Sequence, residues 1–244
     1  MNRIAATNPD AGFLVQLDDA SACAARYAAA APFPHLVIDG FLPRETAEAA
    51  FAAFPSSASA YWREHGRFFS HGDVAAKYEA RDRDTMPGPL QTVVDLINSD
   101  AVVTFLRALT GFDDLAPDAS LMGGGLNLVT VGGRLKAHAD FNFSNDLQAY
   151  RTVNLIYYLN TDWAEADGGC LDLWDAASGT KAASITPLFN RAAIFNTNSR
   201  SLHGYDAVTP AAREERKSVN FYFYSRVPRA GVRAEPHKTL WLDG

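Results

Sequence analysis

Beyond Pro117 the chain changes texture, and that change constrains the fold more than any other feature. Short runs rich in β-branched and aromatic residues alternate with Gly, Asn and Asp clusters, the pattern of strands and turns. The runs cover 124–131, 135–138, 151–160, 170–174, 181–185, 191–195, 201–208 and 216–225. About eight strands behind a helical front half predict a mainly β fold, a barrel or sandwich whose outer face the helices cover.

In the front half, the Ala-rich run 18–31 opens on Asp18 and Asp19 and is stopped by Pro32 and Pro34, which predicts a helix. A short strand is expected at 35–39. Pro43 then opens a helix over 44–54, with Ala47, Ala50, Phe51 and Phe54 on one apolar stripe. Two more helices are expected at 90–97 and at 100–110, the latter capped by Ser99 and stopped by Gly111. Between the helix over 44–54 and the one at 90–97, residues 55–86 mix aromatic and charged side chains without a period, as a solvated excursion or a lid would. With 244 residues and no internal repeat, the chain reads as one domain: 1–116 as helical support and candidate lid, 117–230 as the β core, 231–244 as a tail.

Composition narrows the partners. Hydrophobic residues make up 48% of the chain, enough for a sizeable core, and the net charge is -6 with no basic run. Nucleic acid bound through its phosphates is therefore not expected. Two cysteines, Cys23 and Cys170, are too few for a disulfide framework or a Cys-rich metal site, and no stretch of about 18 apolar residues occurs. The expectation is a soluble, cytoplasmic protein acting on a small molecule or peptide away from membranes.

The chemistry centres on His138-Ala139-Asp140. In an extended segment, side chains two apart leave one face, so an imidazole and a carboxylate reach the same point. An isolated pair of this kind is ordinarily a hydrogen bond at a strand end, so its weight comes from what accompanies it. Within 117–230 the only other histidine is His203. Two imidazoles and a carboxylate on one face of an ion leave three positions open, the arrangement of non-haem Fe(II) oxygenases. Thirteen residues on, Arg216 and Ser218 share a strand face and bring together a guanidinium and a hydroxyl, donors suited to a dicarboxylate.

With these residues in place, the sequence resembles the iron(II)- and 2-oxoglutarate-dependent dioxygenases, specifically their prolyl hydroxylase-like branch. The resemblance runs over 126–224 and takes in Arg151-Thr-Val-Asn-Leu-Ile-Tyr-Tyr-Leu-Asn160, Asp162-Trp163, Gly168-Gly169 and Pro187-Leu-Phe-Asn-Arg191. It implies a double-stranded β-helix of the jelly-roll or cupin-like kind, with helices on the outer face of its major sheet. It further implies His138, Asp140 and His203 as catalytic iron ligands, and Arg216, with Ser218, pairing with the distal carboxylate of 2-oxoglutarate. Tyr158 matches a position that helps hold that carboxylate, and Asn154 is assigned to the same set. The implied cofactors are Fe(II), 2-oxoglutarate and O2, with ascorbate as reductant, and the implied outcome is hydroxylation of an amino acid or prolyl-type substrate with release of succinate and CO2. Asp140 argues against a halogenase, a branch that lacks this carboxylate.

Strand parity supports the assignments independently. In 151–160 the odd positions Val153, Leu155, Tyr157 and Leu159 are apolar, while Thr152, Asn154, Ile156, Tyr158 and Asn160 turn the other way. In the last strand Val219, Phe221 and Phe223 form the apolar face, opposite Arg216, Ser218, Asn220, Tyr222 and Tyr224.

Other readings compete for the same residues. A metal-dependent barrel without oxygen chemistry, a cupin-like isomerase or a binding module, accommodates two His and one Asp as well, but has no need of Arg216-x-Ser218. A rival triad of His71-Gly72-Asp73, His138 and Arg151 has similar spacing but lacks the strand context. His35 and His237 read as structural or solvated, Cys170 as a small core residue, Trp163 as packing and Gly123-Gly124-Gly125 as a turn. For the substrate, Arg134, Asn142, Tyr150 and Trp174 are the candidate contacts, with His65 and His71 in the 61–85 segment at the entrance.

Overall fold

The computed structural model describes residues 20–70, 72–227 and 235–242. Helix α1 (Ala20–Ala29) and strand β1 (His35–Asp39) lead into helices α2 (Arg44–Ala53) and α3 (Tyr61–His65). A hairpin of β2 (Arg67–Phe69) and β3 (Val74–Ala80), a 3-10 turn at Arg83–Thr85 and helices α4 (Gly88–Ile97) and α5 (Asp100–Thr110) complete the first half. The strands that follow are β4 (Ala116–Pro117), β5 (Gly125–Ala139), β6 (Phe143–Ser144), β7 (Ala149–Tyr158), β8 (Leu171–Asp175), β9 (Thr180–Ile185), β10 (Arg191–Asn196), β11 (Leu202–Tyr205), β12 (Arg216–Ser225) and β13 (Leu240–Trp241).

Strand β5 organises the sheet. Its first part pairs with β12, Val129 opposite Arg216, and its last part pairs with β11, His138 opposite His203. The hydrogen-bonded path runs β1-β10-β7-β12-β5-β11-β8-β9. Thus β5 belongs to two layers, β1-β10-β7-β12 on one side and β11-β8-β9 on the other, and the result is the expected double-stranded β-helix. Ile156, Tyr158, Ala193 and Phe195 of the first layer pack against Leu171, Leu173 and Ile185 of the second.

The two glycines expected to separate strands, Gly132 and Gly133, instead lie inside β5 at its corner. Gly132 has φ +81°, and a Cβ on Gly133 would lie 2.2 Å from Val129 Cγ1 and 2.9 Å from the Ala76 carbonyl oxygen. Only glycine lets the strand fold over on itself here.

The outer face of the first layer is apolar as parity predicted: Val153, Leu155, Tyr157, Val219, Phe221 and Phe223 are fully buried. Against them lie Leu90, Val93, Val94 and Ile97 of α4 and Val102, Val103, Leu106 and Leu109 of α5, spaced three and four apart to form one helical stripe each. At about 1.5–3 kcal/mol per buried aliphatic side chain, this layer contributes most of the hydrophobic stabilisation. Gly111 ends α5 in the left-handed conformation, its N–H donating to the Arg107 carbonyl. Ser99 precedes α5 but donates its hydroxyl backwards to Leu96 O at 2.7 Å, so it does not cap the helix.

Two expectations are corrected. Residues 55–86 are neither a solvated excursion nor a free lid, because β3 pairs along β5 from Ala80 opposite Leu126 to Val74 opposite Leu135. The tail does not trail away either: residues 235–242 return to the barrel, where β13 places Trp241 opposite His138. The start of the first expected helix, Asp18 and Asp19, lies outside the described residues.

Because a Cβ at the β5 corner meets backbone on two sides, Gly133→Ala is expected to lower stability by about 1–3 kcal/mol, seen as an earlier midpoint in urea unfolding with little change in slope.

Candidate active site

Each predicted ligand is placed by a specific backbone device. Leu135 pairs with Tyr205 and His138 with His203, three steps on β5 against two on β11, so a β-bulge lies between them. The bulge turns both Leu135 and His138 toward the cavity. Gly204 sits under it, where a Cβ would come within 2.5 Å of Leu135 O. His138 Nε2 is 3.4 Å from Asp140 Oδ1, and His203 Nε2 is 3.7 Å from Asp140 Oδ2. One ligand atom from each of the three residues lies within 4.8 Å of the others, and all three side chains are buried.

The protonation states suit a metal. His138 Nδ1 is 2.9 Å from Lys136 O and His203 Nδ1 3.0 Å from Ser201 O. A carbonyl can only accept, so these contacts assign the proton to Nδ1 and leave each Nε2 lone pair facing Asp140. Burial, with His138 alongside, pushes His203 down to about 4, which keeps it neutral. Burial alone would raise the Asp140 carboxyl, but the Arg151 guanidinium beside it holds it well below the usual carboxylate range. Asp140 Oδ2 is buried without a hydrogen bond. Two free imidazole lone pairs and an ionised, under-satisfied carboxylate form a donor set that fits a divalent ion such as Fe(II).

The cavity, of about 210 Å³, extends from the triad to Arg216, Ser218 and Asn154. Asn160 fixes the start of β12: its amide donates to Glu215 O and accepts from Lys217 N, bracketing Arg216. Arg216 is 3% exposed. Its Nε donates to Gly169 O at 2.6 Å and its Nη2 to Tyr158 Oη at 3.3 Å, and the guanidinium lies 4.4 Å from the Tyr205 ring centroid. Among the described residues it has no carboxylate partner. Burial pushes the Tyr158 phenol up to about 12, so it keeps its proton while accepting from Arg216. Gly169 is required by this arrangement, since a Cβ there would stand 3.0 Å from Arg216 Cδ.

Residues 124–224 match the family model described as the 2OG-Fe(II) oxygenase superfamily. This part of the chain belongs to that superfamily. No curated protein sequence matches the chain significantly. Among solved structures, a Pseudomonas putida prolyl-4-hydroxylase is similar at 18% identity and a TM-score of 0.56, covering 84% of this chain and 99% of that one. A Trichoplax adhaerens prolyl hydroxylase, solved with a hypoxia inducible factor peptide, gives 16%, 0.56, 84% and 88%. The epimerase SnoN, solved with Fe3+, alpha ketoglutarate and nogalamycin RO, gives 13%, 0.58, 92% and 96%. The likeness to these structures lies in the fold. The enzyme is a 2-oxoglutarate-dependent dioxygenase using Fe(II) and 2-oxoglutarate, and the donor sets described above fit both.

The oxygenase also has site residues that sequence reasoning missed. Arg151, weighed only within the rival triad, is buried between the rings of Phe141 and Tyr222, 3.6 and 3.5 Å from their centroids, with Nη1 3.2 Å from Asp140 Oδ2. Its parity is that of the outer face, but a second bulge intervenes: Phe223 pairs with Val153 and Tyr224 with Arg151, one step against two. Glu79 and Lys77 of β3 line the cavity, 3.1 Å apart, with Arg67 2.6 Å from Glu79 on its other side. Burial would raise the Glu79 carboxyl, but the two cations hold it low and charged. Trp241 also lines the cavity, its ring 5.1 Å from that of His138.

None of the four predicted substrate contacts, Arg134, Asn142, Tyr150 and Trp174, lines the inner cavity. Arg134 is exposed and points outward, donating to Gly72 O at 3.3 Å. Trp174 stacks under Lys181 and Tyr150 against Phe143, both away from the cavity. Asn142 is a clasp for the returning segment: its Nδ2 donates to Glu235 O, and its Oδ1 accepts from the backbone N–H of His237. His237, expected to be solvated or structural, proves structural, with Ser199 Oγ 2.8 Å from its Nε2. His65 lies beside Glu64, not on the cavity, while His71 falls outside the described residues and Asp73 faces Lys136 at 4.0 Å.

The buried imidazole has a pH consequence. The unfolded chain protonates His203 near its ordinary value of 6.5, whereas the folded chain resists until about 4. Stability of the metal-free protein should therefore be full above the first value and fall toward the second, by an amount on the order of 3 kcal/mol. A melting-temperature series across this range checks it, and His203→Gln should flatten the slope.

Proposed function

We propose that the enzyme hydroxylates an unactivated carbon of a small molecule or peptide, with His138, Asp140 and His203 as the iron ligands and Arg216 as the anchor of 2-oxoglutarate. The observation that carries this reading is the buried Arg216 guanidinium with no carboxylate opposite it among the described residues. A buried cation without a counter-ion is costly, and a dicarboxylate held at that end of the cavity supplies the missing charge. The Tyr158 hydroxyl lies beside it, while Ser218, its hydroxyl donating to Asn220 Oδ1, and Asn154 line the adjoining wall.

Iron with 2-oxoglutarate and O2 supplies the oxidising power for removal of a hydrogen from carbon, releasing succinate and CO2. The chain's own residues do the rest. The carbonyl-held Nδ1 protons fix the imidazole tautomers, and Arg151 holds the Asp140 carboxylate in place from the far side. Leu135, Tyr205 and Ile156 on the cavity wall limit water at the reacting centre. A non-oxidative cupin-like barrel would leave Arg216 without a purpose. Ascorbate fits as an external reductant. A cytoplasmic location agrees with a sequence that holds two cysteines, both buried; separately, no helix among the described residues is long and apolar enough to cross a membrane.

Anaerobic Fe(II) protein is expected to develop a visible charge-transfer band on addition of 2-oxoglutarate. Arg216→Gln should weaken that titration on the order of 100-fold, while Asp140→Ala should abolish the band. Absence of the band in the unaltered protein, with no succinate formed under O2, would refute the reading. Gain of one oxygen atom by the product would distinguish hydroxylation from an isomerisation.

A further inference from the structure

The inner cavity of about 210 Å³ is small for its task. Sites that enclose drug-sized ligands run to roughly 300–1,000 Å³, and on the reading above 2-oxoglutarate takes part of this one. Beside it opens a second hollow of about 490 Å³, bounded by the 141–145 loop on one side and by 236–239 on the other. The two hollows share Phe141 and Thr239 in their walls, so they adjoin at that point.

The outer hollow is built rather than incidental. Asn142, between Phe141 and Phe143, sets the distance between the two walls through hydrogen bonds to Glu235 and His237. Phe141 is fixed from behind by the Arg151 guanidinium, and Phe143 by the Tyr150 ring, 5.1 Å away. Its lining chemistry is lopsided: two aromatic rings and Pro236, one cation at Lys238, Asn145 and Thr239 as neutral polar residues beside His237, and no carboxylate among the described lining residues. The His237 ring nitrogens are taken up by Ser199 and by Lys238 O, and the Asn142 amide by the clasp. Few polar groups are left to read a peptide backbone.

We propose that this hollow is the outer substrate subsite of the oxygenase and takes a ring-bearing organic anion, the ring against Phe141 and Phe143 and the acidic group toward Lys238. That the bound molecule presents its carbon to iron rests on the oxygenase reading; the binding preference does not.

The test titrates Zn(II)-loaded protein, saturated with 2-oxoglutarate, with 2-naphthoate and with the neutral 2-naphthamide, followed by calorimetry. The acid should bind about fivefold more tightly than the amide, the contribution expected of one rim charge. Lys238→Glu, a substitution at an exposed side chain, should erase or reverse that preference. Equal binding of acid and amide would overturn the proposal, as would a preference that survives Lys238→Glu. Displacement of 2-naphthoate by excess 2-oxoglutarate, or tighter binding by a Pro-Pro-Gly repeat peptide, would also overturn it. A separate titration with 2-oxoglutarate alone isolates the other reading. If 2-oxoglutarate does not bind but the naphthoate preference persists without it, the oxygenase assignment fails and the subsite stands.

Discussion

The whole architecture depends on one strand belonging to two layers. β5 hydrogen-bonds to β12 along its first residues and to β11 along its last, and it bends between them at Gly132-Gly133. That bend closes the barrel, and it also brings the site together. The Arg216 end of β12 hangs on the strand before the corner, and both histidines lie after it. The two ends of the cavity are therefore tied by continuous backbone, and their separation is set by covalent geometry and strand pairing rather than by loops.

Charge within this barrel is arranged unequally. Asp140 faces the Arg151 guanidinium, whereas among the described residues Arg216 has the Gly169 carbonyl, the Tyr158 hydroxyl and aromatic rings beside it and no carboxylate. A protein interior tolerates such an imbalance when an external charge completes it. Arg151, Lys77 and Arg216 against Asp140 and Glu79 leave the cavity walls with more cationic than anionic groups. The site is electrostatically prepared for ligands that arrive negatively charged.

Much of this was legible in the sequence because it follows from short-range periodicity. The pairing of Arg216 with Tyr158, and the split between apolar and polar faces of β7 and β12, came from counting in twos. The His-x-Asp pair was readable for the same reason, and His203 because no other histidine lies in the strand-rich half. What escaped depended on contacts far apart in the chain. β3 is a strand because β5 offers it an edge, and its Lys77 and Glu79 look like solvated charge until that edge is in place. Arg151 was hidden by a bulge that reverses parity at Thr152, which no local pattern announces. Arg134 failed in the converse way, beside Gly133 at a corner where face alternation is interrupted. Asn142 stands next to Phe141 in the loop beyond Asp140, and only the returning segment shows that its amide is a fastener.

That fastener ties two parts of the site together. Asn142 is two residues from Asp140, and the segment it grips places Trp241 opposite His138. Any order that an ion at Asp140 and His138 would impose on residues 235–242 would, by linkage, be matched by the ion affinity that anchoring those residues would add. The returning segment would then stand to the metal centre as a heterotropic ligand encoded in the same polypeptide.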